Sequence, residues 1–214
     1  MIPRPRRAAG SGRLVALIAA AGAALAVGLA ACSGSAAVSF DPSAECTADA
    51  QQAGAYPDLE AELPKQFDGV GPDRLDSGRN CTPGTLGTLA AHGVEELRFA
   101  GALFETGSRS GVTLAVFQAP GLTVDRMAQF YETGARSAPK TEQVTTGPYA
   151  GAGVDGWRLD TLNDESFQTI VVLDAVEPDR VRAALIASDI REIGTRAAHE
   201  AIVTRATNAL VAAR

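Results

Sequence analysis

The feature that most narrows the fold of this chain is a series of short runs, beginning near residue 97, in which apolar and polar residues alternate. Leu97, Phe99, Gly101 and Leu103 fall on one side of the first run, and Val112, Leu114 and Val116 on one side of the second. A period of two belongs to a β-strand with unlike faces, because successive side chains point to opposite sides. Gly107-Ser108-Arg109-Ser110-Gly111 lies between these runs and supplies turn residues, so a hairpin is the simplest connection. Gln143 to Thr146, Trp157 to Leu162, Phe167 to Val176 and Arg182 to Ser188 read as further strands, with Asn163-Asp164-Glu165 turning between the second and third of these.

Two stretches change to the helical period. Thr123 caps a predicted helix to about Ala138, whose Val124, Met127, Phe130 and Tyr131 form an apolar stripe. A closing helix from about Thr195 to Ala213 repeats Ala198, Ile202, Ala206 and Leu210 at i, i+4 spacing, which lays them on the sheet. Earlier, Pro57 to Leu63 fits one or two helical turns stopped by Pro64, Phe67 to Ser77 fits an extended or hairpin-like segment, and Pro83 to His92 fits a short helix ended by Gly93. The expected fold is α+β: a mostly antiparallel sheet of about five to seven strands with packed helices, including a C-terminal one.

The N-terminus has a different character. Arg4, Arg6, Arg7 and Arg13 precede Leu14 to Gly28, a run without a charge, and Leu29-Ala30-Ala31-Cys32 closes it. Basic residues followed by an apolar segment and small residues are the layout of a secretory signal peptide. Leu29-Ala30-Ala31-Cys32 resembles the lipobox of bacterial lipoproteins. That resemblance implies a diacylglyceryl thioether on Cys32, cleavage in front of it, and a mature protein held by lipid at the outer face of the cytoplasmic membrane. Two or more acyl chains hold a protein on a bilayer almost permanently. The alternatives are an uncleaved anchor over Leu14 to Ala31 and a plain signal peptide cut after Ala31. Division of the chain then follows as signal peptide over residues 1–31, a Ser, Gly and Ala-rich tether over 32–45, and one α+β domain over 46–214.

From Leu63-Pro64 through Phe67 and Gly69-Val70 to the closing helix, the order of elements resembles uncharacterised exported actinobacterial proteins and, by order alone, the PsbP-like lipoproteins of mycobacteria. Neither resemblance implies a functional residue. Abundant arginine beside only Lys65 and Lys140 reflects a GC-rich coding bias.

With Cys32 assigned to lipid, Cys46 and Cys81 form an even pair in an oxidising compartment, where a disulfide is the expected state. A metal site is not expected, because His92 and His199 are the only histidines available to join them. Loss of the signal leaves 15 basic residues against 25 acidic ones. Such a surface repels nucleic acid and anionic head groups.

Each catalytic or cofactor pattern breaks at a residue the chemistry requires. Gly151-Ala152-Gly153-Val154-Asp155-Gly156 matches the dinucleotide fingerprint in letters, but Trp157 to Leu162 reads as a strand where a helix must open toward the pyrophosphate. His199-Glu200 begins a zinc-protease helix, yet Val203 stands where the second histidine belongs, which leaves His199 as an expected surface residue. Arg109 occupies the nucleophile position of a G-x-S-x-G elbow. A pair of glycosidase carboxylates has no local signature and stays open among many acidic residues. The expectation is a non-enzymatic binding or interaction domain that uses no cofactor and is anchored to the membrane through Cys32. Its partner would be an apolar small molecule, met by Phe104, Phe117, Trp157 or Phe167, or an envelope protein. An envelope hydrolase with an unrecognised carboxylate site and a structural or assembly partner are the alternatives.

Overall fold

A computed structural model describes residues 40–163 and 165–213. Its centre is one sheet of eight strands, all neighbours antiparallel, in the order β1-β2-β3-β4-β8-β7-β6-β5. The strands are β1 (Ala50–Gln52), β2 (Arg74–Asn80), β3 (Leu97–Glu105), β4 (Gly111–Gln118), β5 (Gln143–Gly151), β6 (Val154–Leu162), β7 (Ser166–Asp174) and β8 (Arg180–Asp189). The helices are α1 (Pro57–Glu60), α2 (Pro83–Leu86), α3 (Thr88–Ala91), α4 (Val124–Ser137), α5 (Ile190–Ile193) and α6 (Arg196–Ala212). The α+β class, the antiparallel sheet and the C-terminal helix are as the alternation and the helical stripes imply. The strand count is eight rather than five to seven, because β1 is a three-residue strand of Ala, Gln and Gln with no alternation to announce it. None of the helices among the described residues is long and apolar enough to cross a membrane.

Helices cover both faces and divide the core in two. On one face α6 lays Ile202, Val203, Ala206 and Leu210 over Val112, Leu114 and Val116 of β4, Ala184 and Ile186 of β8, and Val171 and Leu173 of β7, joined there by Leu59 and Leu63. On the other, Met127, Phe130, Tyr131 and Ala135 of α4 pack with Leu86 and Leu89 against Val181 and Ala183 of β8, Ile170 and Val172 of β7, and Leu159 of β6. β4, β8 and β7 are therefore apolar on both faces, as central strands must be. Thr123 and Thr195 cap α4 and α6 by accepting the amide hydrogens of Arg126 and Ala198.

In β3 the fully buried side is Ala100, Ala102 and Phe104, while Phe99, Gly101 and Leu103 are half-buried. Cys46 and Cys81 form a disulfide, with Cα atoms 5.8 Å apart, that fastens the segment before β1 to the end of β2. Beside it the buried Arg79 donates to the carbonyl oxygens of Ala44 (2.6 Å) and Glu45 (3.4 Å), and its guanidinium lies over the ring of Phe40.

Candidate functional site

A cleft of about 400 Å³ opens where β3 begins and β4 ends, lined by Gly93, Glu95, Glu96, Arg98, Gln118, Ala119, Pro120 and Asp179. Its floor is set by backbone geometry. Asp179 has a positive φ of 62°; its main-chain oxygen accepts from the Ala119 amide at 3.1 Å and its Oδ1 from the Gly121 amide at 2.8 Å. The loop before β8 is thus tied to the loop after β4. On the near wall Arg98 donates Nε to Glu96 Oε1 at 2.8 Å and lies over the Tyr56 ring, which meets the Phe40 ring edge-on at 6.2 Å. The cleft therefore sits within two aromatic rings of the point where the N-terminal segment joins the domain. Three carboxylates and one guanidinium give its lining an acidic balance.

A second polar cluster lies under α6 and corrects the expectation for His199. The residue is 0% exposed, not on the surface. Its Nε2 is 2.8 Å from Thr169 Oγ1 and its Nδ1 2.9 Å from Ser188 Oγ. Thr169 Oγ1 donates its one proton to Asp160 Oδ1 at 2.6 Å, so Nε2 carries the imidazole hydrogen and Nδ1 accepts from Ser188. Burial, with Arg196 adding repulsion, pushes the His199 pKa down to about 4. The imidazole is neutral at pH 7. Burial opposes the Asp160 charge, but hydrogen bonds from Arg158 and Thr169 and the charge of Arg196 hold its pKa below the ordinary carboxylate value. Serine, imidazole and carboxylate are thus lined up as in a relay, yet Ser188 and Thr169 are each 0% exposed, so no substrate carbonyl can reach the hydroxyl. The cluster satisfies polar groups inside the core.

The Gly107 to Gly111 segment is the expected β3–β4 hairpin, and its polar residues work as a clip. Arg109 reaches Asp189 Oδ2 at 2.8 Å and Glu165 Oε2 at 2.5 Å. Ser110 Oγ donates to Glu192 Oε2 at 2.6 Å and accepts from the Asp189 amide at 2.9 Å, while Ser108 donates both its amide and its hydroxyl to Glu192 Oε1. Those bonds, led by the two serine hydroxyls, hold the Glu192 pKa below its ordinary value.

Other residues singled out in the sequence are placed as follows. Gly151 to Gly156 forms the β5–β6 hairpin, with Ala152 and Gly153 both at positive φ, and β6 rather than a helix follows it. His92 ends α3 and bonds Gln129 Oε1 at 2.7 Å. Phe104 is in the core under α6, Phe117 and Trp157 pack against the α4 core, and Phe167 lies beside His199 under the Arg196 guanidinium. These aromatic rings do not converge on the cleft. Cys32 lies outside the described residues. Among those residues no cluster of His, Cys, Asp and Glu could hold a metal ion.

The chain matches no protein-family model, no curated protein and no solved structure. The cleft was not legible in the sequence, because its walls come from three separated segments joined only by the strand order.

Proposed function

We propose that this chain is a bacterial envelope lipoprotein, held by lipid on Cys32 at the outer face of the cytoplasmic membrane, whose domain binds a partner without transforming it. The observation that carries the reading is the contrast between the cleft and the polar groups elsewhere. The histidine and serines with catalytic potential are engaged elsewhere, His199 with Thr169 and Ser188 in the core, and Ser108 and Ser110 with the exposed Glu192. The cleft beside the tether instead turns Glu95, Gln118 and Arg98 toward an open volume within the range of small-molecule sites. Its acidic balance fits a partner that presents a positive or hydrogen-bond-donating group, on a small molecule or on another envelope protein.

The test incubates the full chain in detergent with envelope glycans, lipids and cationic peptides, following turnover and thermal shift together. The expected result is a thermal shift without turnover that is lost in Glu95→Lys, a substitution at an exposed cleft residue. Turnover that survives repurification and disappears on replacing one acidic residue would favour an envelope hydrolase instead.

A further inference from the structure

Residues 40–54, which include β1, form a strap along one edge of the sheet, and none of them is buried. Polar contacts hold the strap down. β1 pairs with only three residues of β2, Ser77 to Arg79. Beside it the Asp49 carboxylate accepts from the Cys81 and Thr82 amides and from the Thr82 and Thr85 hydroxyls at 2.7 to 3.1 Å. A segment with so little buried apolar surface opens readily. The Cys46–Cys81 bond changes the outcome of opening: Cys46 stands mid-strap, so a strap that opens stays pinned there as well as at the buried Ala55, and closes again.

Beneath the strap lies a cation without a counter-ion. Arg79 is 5% exposed, yet its guanidinium bonds the neutral carbonyl oxygens of Ala44 and Glu45, and its Nε has no hydrogen-bond partner. Arg182, equally buried, is paired with Glu62 at 2.9 Å. Asp41, an acid of the strap near enough to feel the Arg79 charge, gives its carboxylate to the Ser43 amide and hydroxyl. Arg98 stands directly opposite Arg79 in the β2–β3 ladder, and Glu96 is its ion-pair partner. Residues directly opposite share a face of the sheet, where like charges destabilise each other. Two guanidinium groups and one carboxylate leave a single positive charge, and a buried charge is ordinarily paired. The strap's main-chain oxygens take the place of an anion without supplying its charge.

We infer that Arg79 is a carboxylate-binding site that the strap covers, and that cutting the Cys46–Cys81 bond opens it. One monoanion balances the remaining charge, and the planar fork of a guanidinium takes a carboxylate through two parallel hydrogen bonds. When the strap leaves, the Ala44 and Glu45 carbonyls leave with it, and the Phe40 ring withdraws from the Arg79 guanidinium and from Tyr56. The cut is a thiol–disulfide exchange with an exported dithiol protein. Its thiolate attacks one cysteine sulfur, the S–S bond breaks, and the other cysteine leaves as a thiolate that takes up a proton. The dithiol's second thiol then closes its own disulfide and frees the first cysteine, so two electrons pass from the dithiol to this chain. Neither cysteine is buried, so such a reagent can reach the bond. The inference depends neither on the lipid anchor nor on what the cleft binds.

Amide exchange of the full chain in detergent, with and without dithiothreitol, tests this. On reduction, exchange at β1 and Gly54 should quicken at least about tenfold, while the β4–β8 ladder stays protected. Strap and carboxylate compete for Arg79, so saturating sodium acetate should quicken strap exchange in the reduced chain by a further factor of about five or more. Sodium chloride at equal ionic strength should not, and Arg79→Met should abolish the acetate effect. Should that variant misfold, the unsubstituted reduced chain still decides, because its Arg79 Nε hydrogen should shift on acetate addition by NMR. Strap amides as slow after reduction as before overturn the proposal. So does an acetate effect that chloride reproduces, that the oxidised chain shows equally, or that survives Arg79→Met. A response to inorganic phosphate without one to acetate overturns the choice of a carboxylate.

Discussion

Acidification acts on this fold through one buried imidazole. In an unfolded chain a histidine takes up its proton near pH 6.5, whereas His199 in the folded protein holds off until about pH 4, because burial and the nearby Arg196 disfavour the cation. Between those values the unfolded state binds the extra proton, so stability falls as the pH drops from 6.5 toward 4 and is unaffected by this group above about pH 7. The separation is worth at most about 3 kcal/mol, at about 1.36 kcal/mol for each pH unit. That is a sizeable part of the roughly 5 to 15 kcal/mol holding an average domain together. Protonation would also put a new donor on Nδ1 against the Ser188 hydroxyl, which now donates to it. The assay is urea unfolding of the full chain in detergent between pH 7.5 and pH 4, beside His199→Gln, whose amide can bond Ser188 and Thr169 but does not titrate. Carboxylates such as Asp160, which lose their stabilising ionisation at acid pH, affect both proteins alike and drop out of the difference. The unsubstituted chain should lose more stability than the variant, by up to about 3 kcal/mol, and the His199 ring proton should titrate near pH 4 by NMR. Equal pH slopes, or titration of the ring at its ordinary value, would refute the reasoning.

Three further outcomes are expected. Gly156→Ala places a Cβ 2.3 Å from the Val172 carbonyl oxygen, a backbone atom that cannot swing away; overpacking of this kind costs about 1 to 3 kcal/mol, to be read as a lower denaturation midpoint. Replacing Cys46 and Cys81 with serine releases a cross-link spanning 35 residues; the chain-entropy cost is about 3 to 4 kcal/mol, and recovery of both cysteines as alkylatable thiols from the folded, oxidised protein would contradict the bond. Mass spectrometry of the N-terminal peptide should find a diacylglyceryl adduct on Cys32, with an unprocessed precursor in Cys32→Ala; an unmodified peptide starting at Cys32 or Ser33 would reject the lipid anchor.

The contrast between legible and illegible features follows from how local each one is. α4 and α6 could be read because a threonine cap and an apolar stripe both lie within one segment. The Cys46–Cys81 bond followed from parity and compartment rather than geometry. β2, in contrast, is Arg-Leu-Asp-Ser-Gly-Arg-Asn, a polar string that becomes a strand because β1 and β3 pair it on both sides. β5 runs on to Gly151, past the Thr146 at which the expected strand stops, because at the sheet edge Pro148 can face outward and cost no bond to β6. His199 illustrates the same limit for sites. Its position on α6 is ordinary; what buries it is the pair of hydroxyls beneath it, contributed by β7 and β8. The cleft has no single-segment signature at all.

Strand order also governs when this domain can exist. β8 is the last strand made, yet it lies between β4 and β7 at the middle of the sheet. A chain delivered N-terminus first can pair β1 to β4 early, but that half-sheet then ends in β4, whose Val112, Leu114, Val116 and Phe117 offer a bare apolar margin to any passing strand. β5 to β7 face the same gap from the other side. Neither half can close until Arg180 to Asp189 has arrived and formed ladders with both neighbours. Non-local pairing of this kind is slow and exposes sticky intermediates. The domain is therefore an arch with its keystone laid last: a chain stopped short of β8 is two unfinished halves and not a smaller version of the whole.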